Sequence, residues 1–189
     1  MPKLVKLKPN QQAPLFEMID VSGKNIRLAD YEGKKVLLCF FRYAGCPWCN
    51  LAIHRLSVEY PKFKKLGLEI ITFVQSKPEN IEKYIYGNNV PMPPFPIIAD
   101  PERKIYDLYG VTDSYMAAIP SLRHVPDWLW NIVGGKYKQG KVDGSLGLVP
   151  AQFMIGSNNT ELYKIYYGVD YFDHLAMSEI LEFAQFGQA

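Results

Sequence analysis

The chain has 189 residues and a formal net charge of +2, with 48% of residues apolar and 14% aromatic. That balance excludes a disordered chain, and near-neutrality gives no electrostatic reason to expect nucleic acid or an acidic surface as partner. The length fits one domain with its own core, and no long apolar run marks a membrane span.

Residues 1–14 (MPKLVKLKPNQQAP) are basic, polar and proline-bearing, an extended lead-in without an apolar leader core, so a cytoplasmic location is expected. Residues 16–19 and 25–28 read as short strands about Ser22-Gly23, a hairpin by turn chemistry. Residues 29–35 form a short turn ended by Gly33. Residues 36–41 (VLLCFF) have the length and the β-branched and aromatic content of a strand buried on both faces. After a turn at Tyr43, Ala44 and Gly45, the stretch Cys46-Pro47-Trp48-Cys49 opens a helix whose apolar face carries Ile53, Leu56 and Tyr60. It should run to about Lys65, with a kink at Pro61 and Gly67 closing it. Residues 68–75 (LEIITFVQ) form a second buried strand, and Ser76-Lys77-Pro78-Glu79 starts a helix that lasts until Gly87. Residues 88–96 carry four prolines and must be irregular.

Residues 96–99 read as a short strand, after which Asp100 caps a helix with Ile105, Leu108 and Tyr109 on one face, ended by Gly110. The alternation of strands and helices argues for an α/β layered sheet with right-handed crossovers. An insert at about 112–148 interrupts it, with helices expected at 113–119 and 127–133. Residues 151–155 and 162–167 read as a strand pair about a turn at 156–159, and 171–186 as a closing amphipathic helix with Leu175, Ile180, Leu181 and Phe183 inward. Residues 1–189 are read as a single domain.

The chemistry sits at Cys46 and Cys49. Pro47 suits the first helical position, which makes Cys46 the cap and places Cys49 one turn inside. Residues three apart on a helix lie about 5 to 6 Å apart, within reach of a disulfide. Cys46 faces unpaired amides and the positive end of the peptide dipoles, which favours the thiolate, the species that attacks peroxides and disulfides. Cys49 is then the resolving thiol. The bland alternatives are two buried apolar cysteines or half of a zinc knuckle. A closed zinc site needs four ligands, and neither a second cysteine pair nor a His-x3-His exists to complete one. The third cysteine, Cys39, sits mid-strand, so no disulfide framework is being built and a reducing compartment is expected. No metal or organic cofactor is required.

Three stretches carry a resemblance to a known family: APLFEMID with LADYEGKKVLLCFF, then FFRYAGCPWCNLAIHRL, then FPIIADPERKIYDLYGV. From about Ala13 to Phe186 the chain resembles the peroxiredoxin-like redoxins of the thioredoxin-fold superfamily (alkyl hydroperoxide reductase C and thiol-specific antioxidant), in their CPxC version. The resemblance implies a thioredoxin-like fold, a central mixed sheet flanked by helices with an N-terminal hairpin and an inserted helical segment. It also implies a thiol-dependent hydroperoxide reductase cycling between the Cys46–Cys49 dithiol and disulfide, reset by a thioredoxin- or glutathione-type electron donor. Typical members carry Pro seven residues, and Thr or Ser three residues, before the peroxidatic Cys; here those positions hold Cys39 and Tyr43, so the hydroxyl on offer is a phenol. The family's remote Arg on a later strand is not evident. Val149-Pro150 resembles instead the cis-proline that faces the CxxC in thioredoxins and disulfide reductases, holding a backbone edge where a substrate chain can pair; Ile119-Pro120 is a weaker competitor.

Other residues keep two readings. Arg42 would stabilise a thiolate or bind a polarised peroxide oxygen, or else reach solvent from the strand end. Trp48 is an exposed partner contact or packs over the turn. His54, His124 and His174 read as structural or solvated. The insert's apolar residues Met116, Ile119, Leu122, Trp128, Leu129, Trp130 and Ile132 suggest either a cover over Cys46 for bulky or lipid hydroperoxides, or a packing layer or homodimer face. The alternatives to a peroxidase are a thioredoxin-like protein disulfide reductase and a non-enzymatic redox-sensing or binding module.

Overall fold

A computed structural model describes residues 6–87, 92–124, 126, 139–157 and 160–187. The hairpin of β1 (Glu17–Ile19) and β2 (Asn25–Arg27) pairs Glu17 with Arg27. Its turn is tied by Asp20, whose carboxylate accepts from the N–H groups of Ser22 and Lys24, both at 2.9 Å. Gly23 takes the left-handed φ of 88° that this turn requires.

The main sheet has the order β5-β4-β3-β6-β7. At its centre β3 (Lys35–Phe41) runs parallel to β4 (Leu68–Val74), which runs parallel to β5 (Ile97–Ala99). On the other side β3 pairs antiparallel with β6 (Ala151–Ile155), and β6 with β7 (Leu162–Tyr167). Parallel neighbours need crossovers. Here α1 (Pro47–Lys65) joins β3 to β4, and α2 (Pro78–Ile81), extended by a π turn over Glu82–Tyr86, leads from β4 toward β5. Then come α3 (Lys104–Leu108), α4 (Ala118–Ser121) and α5 (Met177–Phe186).

Because side chains alternate along a strand, β3 feeds two cores. Leu37, Cys39 and Phe41 pack with Ile53, Leu56 and Phe63 of α1 and Ile180 and Phe183 of α5. Val36, Leu38 and Phe40 pack on the other face, where Phe40 stacks on Phe73 at 4.8 Å and meets Tyr106, Tyr109 and Phe153 at 5.1 to 5.4 Å. The two-sided burial expected of this strand is therefore present. Its C-terminal end is anchored by the Tyr106 hydroxyl, which donates to the Phe41 carbonyl.

Three elements depart from expectation. Helix α3 starts at Lys104 rather than just after Asp100, because Arg103 adopts a left-handed φ of 63°. Asp100 still does the capping: its carboxylate accepts from the N–H groups of Lys104 (2.9 Å), Ile105 (2.7 Å) and Tyr106 (3.4 Å). Residues 171–176 are not helical, and α5 begins only at Met177. There Gln152 accepts from Leu175 N–H (2.6 Å), the one of these amides that a helix from 171 would have used, while Asp170 accepts from Phe172 N–H (2.8 Å) and Asp173 from Val169 N–H (2.9 Å), which holds the segment in turns. The expected helix at 113–119 is a bridge at Asp113 to Leu148 followed by a 3-10 turn at Tyr115–Ala117 leading into α4, which contains Ile119-Pro120. The helix expected at 127–133 lies outside the described residues. Among the described residues no helix is long and apolar enough to cross a membrane.

Asp100 is buried and serves three amides at once. Asp100→Ala should lower the unfolding free energy by about 2 kcal/mol in urea titrations; a loss too small to resolve would mean that these amides find other partners at no cost.

Candidate active site

The site is built where β3 ends and α1 begins. Arg42 follows the strand, and its carbonyl extends the parallel ladder by accepting from Gln75 N–H at 3.1 Å. The turn Tyr43–Cys46 closes with Cys46 N–H donating to the Tyr43 carbonyl at 3.1 Å, and Cys46 is the N-cap of α1 with Pro47 following. Asn50, buried one turn into the helix, clamps the turn from inside: its Nδ2 donates to the carbonyls of Ala44 (2.7 Å) and Cys46 (3.0 Å).

Cys46 and Cys49 are free thiols, each only 1% exposed. Their acidities are pushed apart. The Cys49 thiol is set to donate to the Cys46 sulfur and is the largest influence holding Cys46 below its ordinary value; burial opposes this, while the Arg42 guanidinium and the N–H groups of Cys49 and Trp48 add to it. Cys49 moves the opposite way, kept protonated by burial first, by its hydrogen bond to the Cys46 sulfur second and by that neighbour's charge third. Cys39 is a different kind of thiol. Burial pushes it up to about 12, and its contact is the Gln152 amide at 3.4 Å.

Arg42 does not reach into solvent. It is 6% exposed, its Nη2 donates to the Leu146 carbonyl at 2.7 Å, and its guanidinium lies 4.4 Å from the ring centre of Tyr171 and 5.3 Å from that of Tyr43. Tyr43 is buried beside the pair, its phenol kept protonated by burial first and by the Cys46 charge second; its hydroxyl accepts from Gln139 Nε2 at 3.2 Å. Pro150 immediately precedes β6, so the register places it beside the end of β3. Its carbonyl already accepts from Gly168 N–H (2.9 Å), and Val149 N–H lies against the Thr112 carbonyl (3.5 Å), so this edge is occupied by the chain's own backbone. Trp48 is half-buried, its ring against Phe172 (4.8 Å) and His124 (6.3 Å).

Among the described residues the insert lays no apolar cover on the site. Met116, Ile119 and Leu122 are 71%, 62% and 67% exposed; Trp128, Leu129, Trp130 and Ile132 lie outside the described residues. The segment resting on the turn is the polar, glycine-rich strap 139–148. Gly140 N–H donates to the Gly45 carbonyl at 2.8 Å, and a Cβ on Gly45 would stand 2.5 Å from the Lys141 carbonyl oxygen. Asp143 accepts from Ser76 Oγ (2.6 Å), Asn80 Nδ2 (2.5 Å) and Lys77 N–H (3.2 Å), and Ser145 N–H donates to Gln75 Oε1 at 2.8 Å. The sequence offered one clue, glycines at 140 and 144 where backbones approach closely. Tyr171 also went unread, and His174 is structural rather than solvated. His174 lies 5.4 Å from Phe41, both ring nitrogens are buried without a partner, and burial lowers its pKa to about 4. Trp48 and His174 face a cleft of about 810 Å³ between α1 and residues 172–177. Among the described residues no group of His, Cys, Asp or Glu is placed to hold a metal ion.

Residues 9–159 match the family model described as the AhpC/TSA family. The chain belongs to the AhpC/TSA family. Among curated relatives it is 26% identical to peroxiredoxin Bcp of Escherichia coli K12, over 56% of this chain and 65% of Bcp. It is 33% identical to the thiol-disulfide oxidoreductase ResA of Geobacillus thermodenitrificans, over 52% of this chain and 55% of ResA. These alignments thus span less than two thirds of either relative. The reduced Plasmodium vivax 2-Cys peroxiredoxin shares the fold with a TM-score of 0.65 at 14% identity, covering 93% of this chain and 79% of that one. This AhpC/TSA chain has a thioredoxin-like fold and is an enzyme of thiol-dependent redox chemistry.

The acidity of Cys46 is directly measurable. Thiolate ultraviolet absorbance that disappears in Cys46→Ser should titrate at about 6 in the reduced protein. Cys49→Ala, which removes the leading donor, should move that midpoint up toward 9.0, and Cys49→Ser, which keeps a donor, should move it less. Because the folded value lies below the unfolded one, Cys46 stabilises the reduced fold increasingly as pH rises from about 6 to 9.0, and this contribution is lost as pH falls through 6. A wild-type midpoint at or above 9.0 would remove the acidic-thiol assignment.

Proposed function

We propose that the protein is a peroxiredoxin-like hydroperoxide reductase in which Cys46 is the peroxidatic thiol and Cys49 the resolving thiol. The observation that carries this reading is the divergence of two adjacent thiols at one helix start, Cys46 favouring the anion and Cys49 keeping its proton. The Cys46 thiolate attacks one peroxide oxygen, the O–O bond breaks, and the leaving alkoxide or hydroxide takes a proton. Cys46 is then a sulfenic acid. Cys49 attacks its sulfur, the S–O bond breaks, water leaves, and the Cys46–Cys49 disulfide closes. A dithiol donor of thioredoxin type, or two glutathione molecules, returns both electrons.

Arg42 supports the first step through its charge beside the sulfur, which favours the thiolate and the negative charge developing on the leaving oxygen. Tyr43 offers a protonated phenol to the same region, standing where typical members place Thr or Ser. Three cysteines in 189 residues build no disulfide framework, which suits a reducing compartment such as the cytoplasm.

A second reading, a disulfide reductase acting through a mixed disulfide, is favoured by the cleft of about 810 Å³ beside Trp48, which could seat a segment of a partner chain, and by the likeness to ResA. The occupied backbone edge at Pro150 weighs against it.

A sulfenic-acid probe added after a small dose of hydroperoxide separates the two. Cys49→Ser should label strongly and Cys46→Ser not at all; equal, slow labelling of both forms, together with rapid reduction of insulin disulfides by wild type, would replace the peroxidase reading with the second one.

A further inference from the structure

Neither sulfur is open to a substrate, although the reading above requires one of them to meet a peroxide. Each is 1% exposed, and the strap 139–148 rests on Gly45, the residue next to Cys46. Something must hold the strap down, and something must hold the turn beneath it in shape. One carboxylate serves both. Asp143 accepts a hydrogen bond from the Ser76 hydroxyl at 2.6 Å, which turns the hydroxyl's lone pair toward Ala44 N–H at 2.8 Å. Ala44 and Ser76 are fully buried, so without this relay the Ala44 amide would lie in the core with no acceptor. The Ala44 carbonyl is in turn held by Asn50, which also holds the Cys46 carbonyl. The same strap carries Leu146, whose carbonyl holds the Arg42 guanidinium at 2.7 Å.

Resting on the peroxidase reading, we propose that Asp143 is a positioning residue for Cys46, fixing the Tyr43–Gly45 turn through Ser76 and latching the strap that closes over the two thiols. Its other contacts, Asn80 Nδ2 at 2.5 Å and Lys77 N–H at 3.2 Å, fasten the latch to the start of α2, a part of the chain remote from the cysteines in sequence. The strap then has two linked effects. Closed, it holds the turn and Arg42 where they favour the Cys46 anion and keeps bulk water off the sulfur; open, it lets a substrate in. Access and acidity are coupled through one side chain.

The experiment compares wild type with Asp143→Ala, Ser76→Ala and Gly140→Ala in the reduced full chain. In Gly140→Ala the new Cβ would stand 2.7 Å from the Tyr84 ring and 2.9 Å from Gly45 Cα, so the strap must shift where it meets the turn while none of Asp143's own hydrogen-bond partners is removed. Two readouts are taken: the pH midpoint of the Cys46 thiolate absorbance, and the iodoacetamide rate at Cys46 at a pH where the thiol is ionised. Asp143→Ala should raise the alkylation rate at least about tenfold, the effect of one lost hydrogen bond on an opening equilibrium, and should raise the midpoint. Ser76→Ala should raise the midpoint while changing the rate less, because Asn80 and Lys77 still hold Asp143. Gly140→Ala should raise the rate. Should Asp143→Ala fail to fold, Ser76→Ala and Gly140→Ala decide alone. Unchanged midpoint and rate in the folded variants would overturn the assignment. These readouts do not depend on peroxide turnover: a shifted midpoint in an inactive protein would sink the peroxidase reading and keep Asp143's role, and the reverse result would do the opposite.

Discussion

An ionised sulfur placed away from water needs donors already aimed at it, and the architecture around Cys46 answers to that constraint. The anion is favoured by a neighbouring thiol, a guanidinium and helix-start amides together, against a desolvation cost that alone would keep the proton on. The central strand β3 makes this arrangement possible. Buried on both faces and anchored at its end by Tyr106, it delivers Arg42 and the turn to one place and leaves α1 to begin with Cys46 at the cap.

The parts of the site that determine reactivity are drawn from distant stretches. Arg42 is held from the strap and flanked by Tyr171; the turn is held from α1 by Asn50 and from the end of β4 by Ser76. Such convergence is what a thioredoxin-like sheet provides, since loops at one end of its parallel strands meet above the first crossover helix. It also explains how a chain that shares about a quarter to a third identity with a peroxiredoxin and with a disulfide oxidoreductase can keep the fold while changing what surrounds the thiols.

Much of this was legible from local pattern. The apolar run at 36–41, the Pro47 that begins α1 and the apolar face of α1 each announce themselves within a few residues, and the hairpin follows from Ser22-Gly23. What escaped were features with no local period. Asp143 meets Ser76 and Asn80 across more than sixty residues, and its stretch reads only as a basic, glycine-rich tail. The segment 171–176 has helical spacing, but Gln152 takes the Leu175 amide from the sheet, a competition that spacing cannot reveal. Asp100 was read as a cap for the right reason, yet Arg103's left-handed backbone delays the helix it caps.

Cys39 occupies a position where typical relatives carry proline, and its surroundings make it the opposite of Cys46: sealed in the sheet, held by Gln152 and hard to ionise. A native molecule therefore contains three thiols of three temperaments, of which this one stays silent toward reagents until the sheet itself comes apart. Total thiol count under denaturing conditions minus the native count becomes a built-in gauge of intact fold, carried by the chain without any added label.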